Sequence, residues 1–173
     1  KASMDTISGI LLLLALVGCA SPRPALVTDP VGPIGSASVR YWSKPQGMLI
    51  VYTDKEAIND GGIMYYPNTP YRVTTPAGQK IKSVRNRVGN TDQTPATVML
   101  EEGLYHVQAM AEGKGWVTVP VWIAPNRLTV VNLEIKGLAE ADALAEAERV
   151  RLPDGRVIGR RASLPEPKPK SSP

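Results

Sequence analysis

The 173-residue chain contains one cysteine, one histidine and no phenylalanine, and each shortage excludes something. A single thiol allows no intrachain disulfide, so the chain either stays in a reducing compartment or is exported with a core that needs no staple. No zinc ligand set, phosphate-cradling glycine loop or Ser/His/Asp arrangement is visible. We therefore expect no metal, no cofactor and no catalytic residue. A hydrolase built on paired carboxylates ranks well below a binding protein, since nothing in the sequence points to such a pair. Aromatics reach only 5% against Pro 16 and Gly 15, a balance that favours short strands, turns and extended tails over a helical bundle. The apolar run at residues 7–17 is shorter than the roughly 20 residues of a spanning helix.

The formal net charge of +4 is unevenly placed. Residues 1–18 hold one base and one acid, and from Arg149 onward there are seven bases and two acids, which leaves 12 basic and 13 acidic side chains in residues 19–148. The body is neutral and the positive charge gathers at the C-terminal end. Nucleic acid is not an expected partner of an exported chain with a neutral body.

The lone cysteine follows the apolar run, in Leu16-Val17-Gly18-Cys19-Ala20-Ser21. The run has the length of a signal h-region. The tetrad ending at Cys19 resembles the lipobox of bacterial lipoproteins. That resemblance implies cleavage before Cys19, attachment of a diacylglycerol to its sulfur and acylation of the new amino terminus with a chain such as palmitate. Each buried methylene contributes about 0.8 kcal/mol, and two or three chains hold a protein on a bilayer where one is marginal. Ala20 and Ser21 lack the aspartate that retains such proteins at the inner membrane, which implies the outer membrane. The pattern departs upstream, where Lys1 stands in place of an initiator Met and Met4 precedes acidic Asp5. Residues 21–35 are proline-rich without periodicity, so residues 19–45 are expected to form an extended tether, with 25–28 alone able to pack as an edge strand.

Residues 46–136 are punctuated like an antiparallel β-sandwich of about seven strands, at 47–53, 71–75, 80–82, 96–100, 104–111, 116–123 and 128–135. Alternation places Tyr105, Val107, Ala109 and Ala111 on one face and His106, the single histidine, on the other. Likewise Val117, Val119, Val121 and Ile123 form a core face, leaving Trp116, Thr118, Pro120 and Trp122 opposite. The run Leu100-Glu101-Glu102-Gly103-Leu104-Tyr105-His106-Val107, followed by Val117-Thr118-Val119-Pro120-Val121 and Thr129-Val130-Val131-Asn132-Leu133, resembles the prealbumin-like sandwiches of carboxypeptidase regulatory-like and PEGA-type modules. That resemblance implies a noncatalytic module, with Gly103 at positive φ in the turn and the Tyr105 hydroxyl satisfying backbone at the corner. It covers about half the chain.

Two tryptophans facing away from a core suggest an aromatic platform for a sugar ring, joined by Tyr65, Tyr66 and Tyr71, or else a surface covered by the C-terminal segment. Asp54, Glu56, Asn59 and Asp60 form an oxygen-rich loop without the ligand spacing of an EF-hand, and read as an exposed turn. The alanine-rich stretch 137–150 predicts a helix with a narrow apolar stripe, docked on the outer face near Trp122. Asp154-Gly155 predicts a small hairpin whose arginines could meet an anionic surface, and residues 163–173 a disordered tail.

These readings give a signal segment 1–18, a lipidated tether 19–45, a sandwich 46–136, a helix-and-hairpin extension 137–162 and a tail 163–173. The expected function is that of a noncatalytic, lipid-anchored cell-envelope protein. Its sheet domain would be a structural or protein-interaction module, with a surface glycan-binding module as the alternative.

Overall fold

The computed structural model describes residues 24–36, 45–89 and 92–164; the signal segment, Cys19 and most of the expected tail lie outside the described residues. The fold is all-β. Its strands are β1 (Ala25–Leu26), β2 (Val31–Ser36), β3 (Gln46–Tyr52), β4 (Ile58–Asp60), β5 (Ile63–Tyr65), β6 (Tyr71–Thr74), β7 (Lys80–Val84), β8 (Thr97–Glu101), β9 (Gly103–Ala111), β10 (Gly115–Ile123), β11 (Arg127–Asn132), β12 (Arg149–Arg151) and β13 (Val157–Arg161). Each of the seven expected strand segments overlaps one of these, but the count is larger because the chain before and after them is also paired.

The main sheet runs β7-β6-β9-β10-β2-β11-β3-β8 and curls into a half-barrel, while β4 and β5 form a separate hairpin. Pairing is mixed rather than antiparallel throughout: β1 and β2 lie parallel to β10, and β11 lies parallel to β3. Strand β2 joins the two halves of the curl. Its start pairs with Val121 of β10 and its end with Arg127 and Leu128 of β11. The period-two pattern then closes the core from both sides. Val107, Ala109, Val117, Val119, Val121 and Ile123 face Leu49, Val51, Val98, Leu100 and Val131, and all are buried.

Three expectations need correction. The stretch expected to be a solvated tether enters the sheet from residue 24, with Val27 and Val31 in the main core. Pro30 lies in the break between β1 and β2, where its missing N–H costs no ladder bond, and its carbonyl accepts from the Ala162 N–H at 2.8 Å.

The expected helix at 137–150 is absent. Two 3₁₀ turns occupy Ala141–Ala143 and Glu146–Glu148, and Arg149 already begins β12. Alanine propensity loses here because an isolated short helix is marginal, whereas Val150 is fully buried in the main core and pairs with Gly159. The 138–144 segment instead lays Leu138 and Leu144 against Val130, Val157, Ile50 and Tyr52 on the outer face of β3 and β11, remote from the expected site near Trp122.

The hairpin about Asp154-Gly155 does form, as β12 and β13, but it is no appendage. β13 pairs with β2, and Val150, Leu152 and Ile158 belong to the main core. The crossing is close enough that a side chain at Gly159 would overlap Val31, and one at Gly32 would overlap Ala162.

Candidate functional site

On the outer face of β10, Thr118 and Pro120 are buried and only the Trp116 end is open. Trp116 and Trp122 share that face, as the alternation requires, but six residues separate them, or about 20 Å along the strand. They belong to different surface features. Trp116 is 53% exposed and lines an open groove of about 600 Å³. Trp122 is half-buried in a smaller pocket of about 290 Å³ beside Pro33, Arg160 and Arg161. Of the tyrosines, Tyr65 ends β5, Tyr66 follows it exposed, and neither lines the groove. The five residues expected to form one aromatic platform are therefore dispersed, and of them only Trp116 and Tyr71 line the groove.

The groove is assembled by register. Ser83, Arg72, Gln108, Thr118 and Leu26 stand in one line across β7, β6, β9, β10 and β1. Trp116, Pro24, Pro70 and Arg85 extend the same face toward the strand ends, and three strand spacings between β10 and β7 make it about 14 Å wide. No lining residue is a carboxylate, histidine or cysteine. Arg72 and Arg85 are exposed and make no ion pair among the described residues. Tyr71 also lines the groove. Its ring is buried, its hydroxyl has no hydrogen-bond partner among the described residues, and burial pushes its phenol well above the usual tyrosine range.

A polar knot fixes the β6–β7 side of the groove. Asn86, buried at φ 60°, donates from Nδ2 to the Val51 carbonyl at 3.0 Å and Thr53 Oγ1 at 3.1 Å, and accepts from the Ala96 N–H at 3.2 Å. Asn68 accepts from the Thr53 N–H at 3.0 Å and donates to the Gln93 carbonyl at 2.9 Å. These bonds satisfy loop backbone that the core would otherwise strand without water.

The arginines of the C-terminal hairpin have a different environment. Arg149 and Arg151 reach Glu146 at 3.2 and 2.9 Å, Arg156 reaches Asp154 at 2.8 Å, Arg161 reaches Asp29 at 2.8 Å, and Arg160 pairs with Glu148. The Arg151 hydrogen bond holds the Glu146 carboxyl below its ordinary range, and the Arg160 hydrogen bond does the same for Glu148. The basic end that the sequence offered for an anionic surface is thus largely neutralised within the molecule.

The remaining candidates are dispersed. His106 is half-buried on the outer face, opposite Pro120 and Thr74. In the oxygen-rich loop, Asp54 accepts from the Lys55 N–H at 2.8 Å, Asn59 accepts from the Gly62 N–H at 2.9 Å, and Glu56 lies 3.9 Å from Arg87. Among the described residues no three His, Cys, Asp or Glu side chains converge. The corner has the geometry the resemblance implies: Gly103 has φ 157° and Tyr105 Oη donates to the Glu101 carbonyl at 3.1 Å.

Arg72 and Arg85 were hidden by averaging charge over residues 19–148. A shorter window exposes them, since residues 61–91 contain five basic and no acidic side chains. No family model, curated protein or solved structure matches this chain.

Proposed function

We propose that the protein is a noncatalytic, lipid-anchored component of a bacterial cell envelope, acylated at Cys19 and displaying its curled sheet as an interaction module. The outer membrane is the proposed location. The Trp116 groove carries the reading of the folded part: an exposed indole and two guanidinium groups that are unpaired among the described residues line it, and its lining holds no carboxylate, histidine or cysteine. Such a lining suits recognition rather than bond cleavage. The resemblance to prealbumin-like modules is supported by Gly103 and Tyr105, while the mixed strand order departs from a seven-stranded antiparallel sandwich.

Replacing Cys19 by Ser is expected to abolish incorporation of labelled palmitate and move the protein from the membrane fraction to the soluble one. An unmodified thiol in soluble material, or a mature chain that begins elsewhere, would overturn the anchor. A glycan-binding role is favoured by one observation, the 53% exposure of Trp116 beside Gln108. It would be supported by quenching of tryptophan emission by an envelope polysaccharide that Trp116→Ala removes.

A further inference from the structure

The bare face and the proposed acylation site are close in the chain. Ala25 pairs with Val117, so Pro24 meets the groove beside Trp116. Five residues lead from Cys19 to Pro24, and a trans chain of that length reaches at most about 18 Å. A tether running free to residue 45 would let the body stand about 80 Å from its anchor. Incorporation of residues 24–36 into the sheet removes that freedom, so an anchor at Cys19 would hold the Trp116 end of the molecule within that reach of the lipid surface.

We propose that the outer face around Trp116 seats on the anionic headgroup surface of the bilayer that holds the anchor, with Arg72 and Arg85 opposed to lipid phosphates and the indole in the interfacial layer. The proposal rests on the acylation of Cys19 argued above, which supplies the membrane. Charge selects the occupant. Of the five bases in residues 61–91, Arg72 and Arg85 line the groove, the lining has no carboxylate, and neither guanidinium has an internal counter-charge among the described residues. Tryptophan favours the membrane–water interface, and Leu26, exposed on the same register line, adds apolar surface at the rim. The hairpin arginines around Arg160 are excluded as the docking surface by their own carboxylates.

The test uses residues 19–173 carrying Cys19→Ser, which keep every described residue but can bear no acyl chain. This chain is expected to sediment at low salt with phosphatidylcholine vesicles containing phosphatidylglycerol, and not with phosphatidylcholine alone. Arg72→Gln and Arg85→Gln are each expected to weaken partitioning about fivefold. Binding is expected to shift tryptophan emission to the blue, a shift lost in Trp116→Ala, with unchanged circular dichroism showing that the variants fold. Equal sedimentation with both vesicle types, no sedimentation at all, or indifference to the arginine substitutions would overturn the proposal. So would retention by a soluble acidic polysaccharide in the absence of vesicle binding, which would make the groove a glycan site. Since the probe lacks the thiol, its failure alongside palmitate-labelled wild-type protein rejects the docking face alone. An unlabelled Cys19 rejects the anchor.

Discussion

The two outer faces of the curled sheet have opposite fates. Over β3 and β11, residues 138–144 and Val157 lay down a second apolar cluster, and the hairpin that follows pairs its arginines with Glu146, Glu148, Asp154 and Asp29. At the Trp116 end of β9 and β10 no such apolar cluster lies among the described residues, and Trp116, Arg72 and Arg85 remain open to solvent, although Thr118 and Pro120 further along β10 are buried. A face covered by the chain itself satisfies its charges internally. An uncovered face with unsatisfied cations is where a partner gains most.

The largest expected effect breaks the covered side. Ile158 is fully buried at the seam between β13 and the main core, so Ile158→Ala should cost about 2–5 kcal/mol in chemical denaturation. Ile81, 44% exposed on edge strand β7, should lose no more than about 0.5 kcal/mol when changed to Ala. Similar losses at both positions would show that residues 149–161 are not part of the cooperative core.

Asn86→Ala tests the other side, which is held by polar bonds rather than apolar cover. It leaves the Ala96 N–H and the Val51 carbonyl without this partner, at about 1–3 kcal/mol for each buried group left unpaired. Hydrogen exchange should speed first in β6, β7 and the Ala96 region. Uniform protection across both sides would count against a local role for the knot.

The smallest effect is that of pH. Glu146 and Glu148 have carboxyl pKa values lowered in the folded protein, so their contribution is complete above the unfolded range near about 4.3 and is lost as pH falls through the lower folded values. Acidification below that range should loosen residues 146–161 before the β9–β10 half, as read by site-resolved hydrogen exchange. Glu148→Gln should flatten part of the dependence. Glu146 is exposed and Glu148 only half-buried, so the effect on global stability should be slight.

The alternation in 104–111 and 116–123 was legible because period two alone decides which side chains share a face, and Val107, Ala109, Val119 and Val121 are buried as it requires. The same rule placed Trp116 outward. It could not show that Trp116 and Trp122 end in separate features, since that depends on where Pro24, Pro33 and Arg160 arrive from distant parts of the chain. Residues 21–35 misled because proline and the lack of a pattern describe an isolated segment, whereas Val27 and Val31 gain burial only once β10 exists to receive them.

By itself the sequence determined the all-β class, the inward and outward faces of the central strands and the Asp154-Gly155 turn, all consequences of local stereochemistry and short-range periodicity. Tertiary structure decided the parallel entry of β1 and β2, the replacement of a helix by turns and a strand, the pairing of the hairpin arginines and the exposure of Arg72 and Arg85. Those outcomes depend on contacts between residues far apart in sequence, where the burial gained by Val150 or Val31 outweighs what either segment would prefer alone.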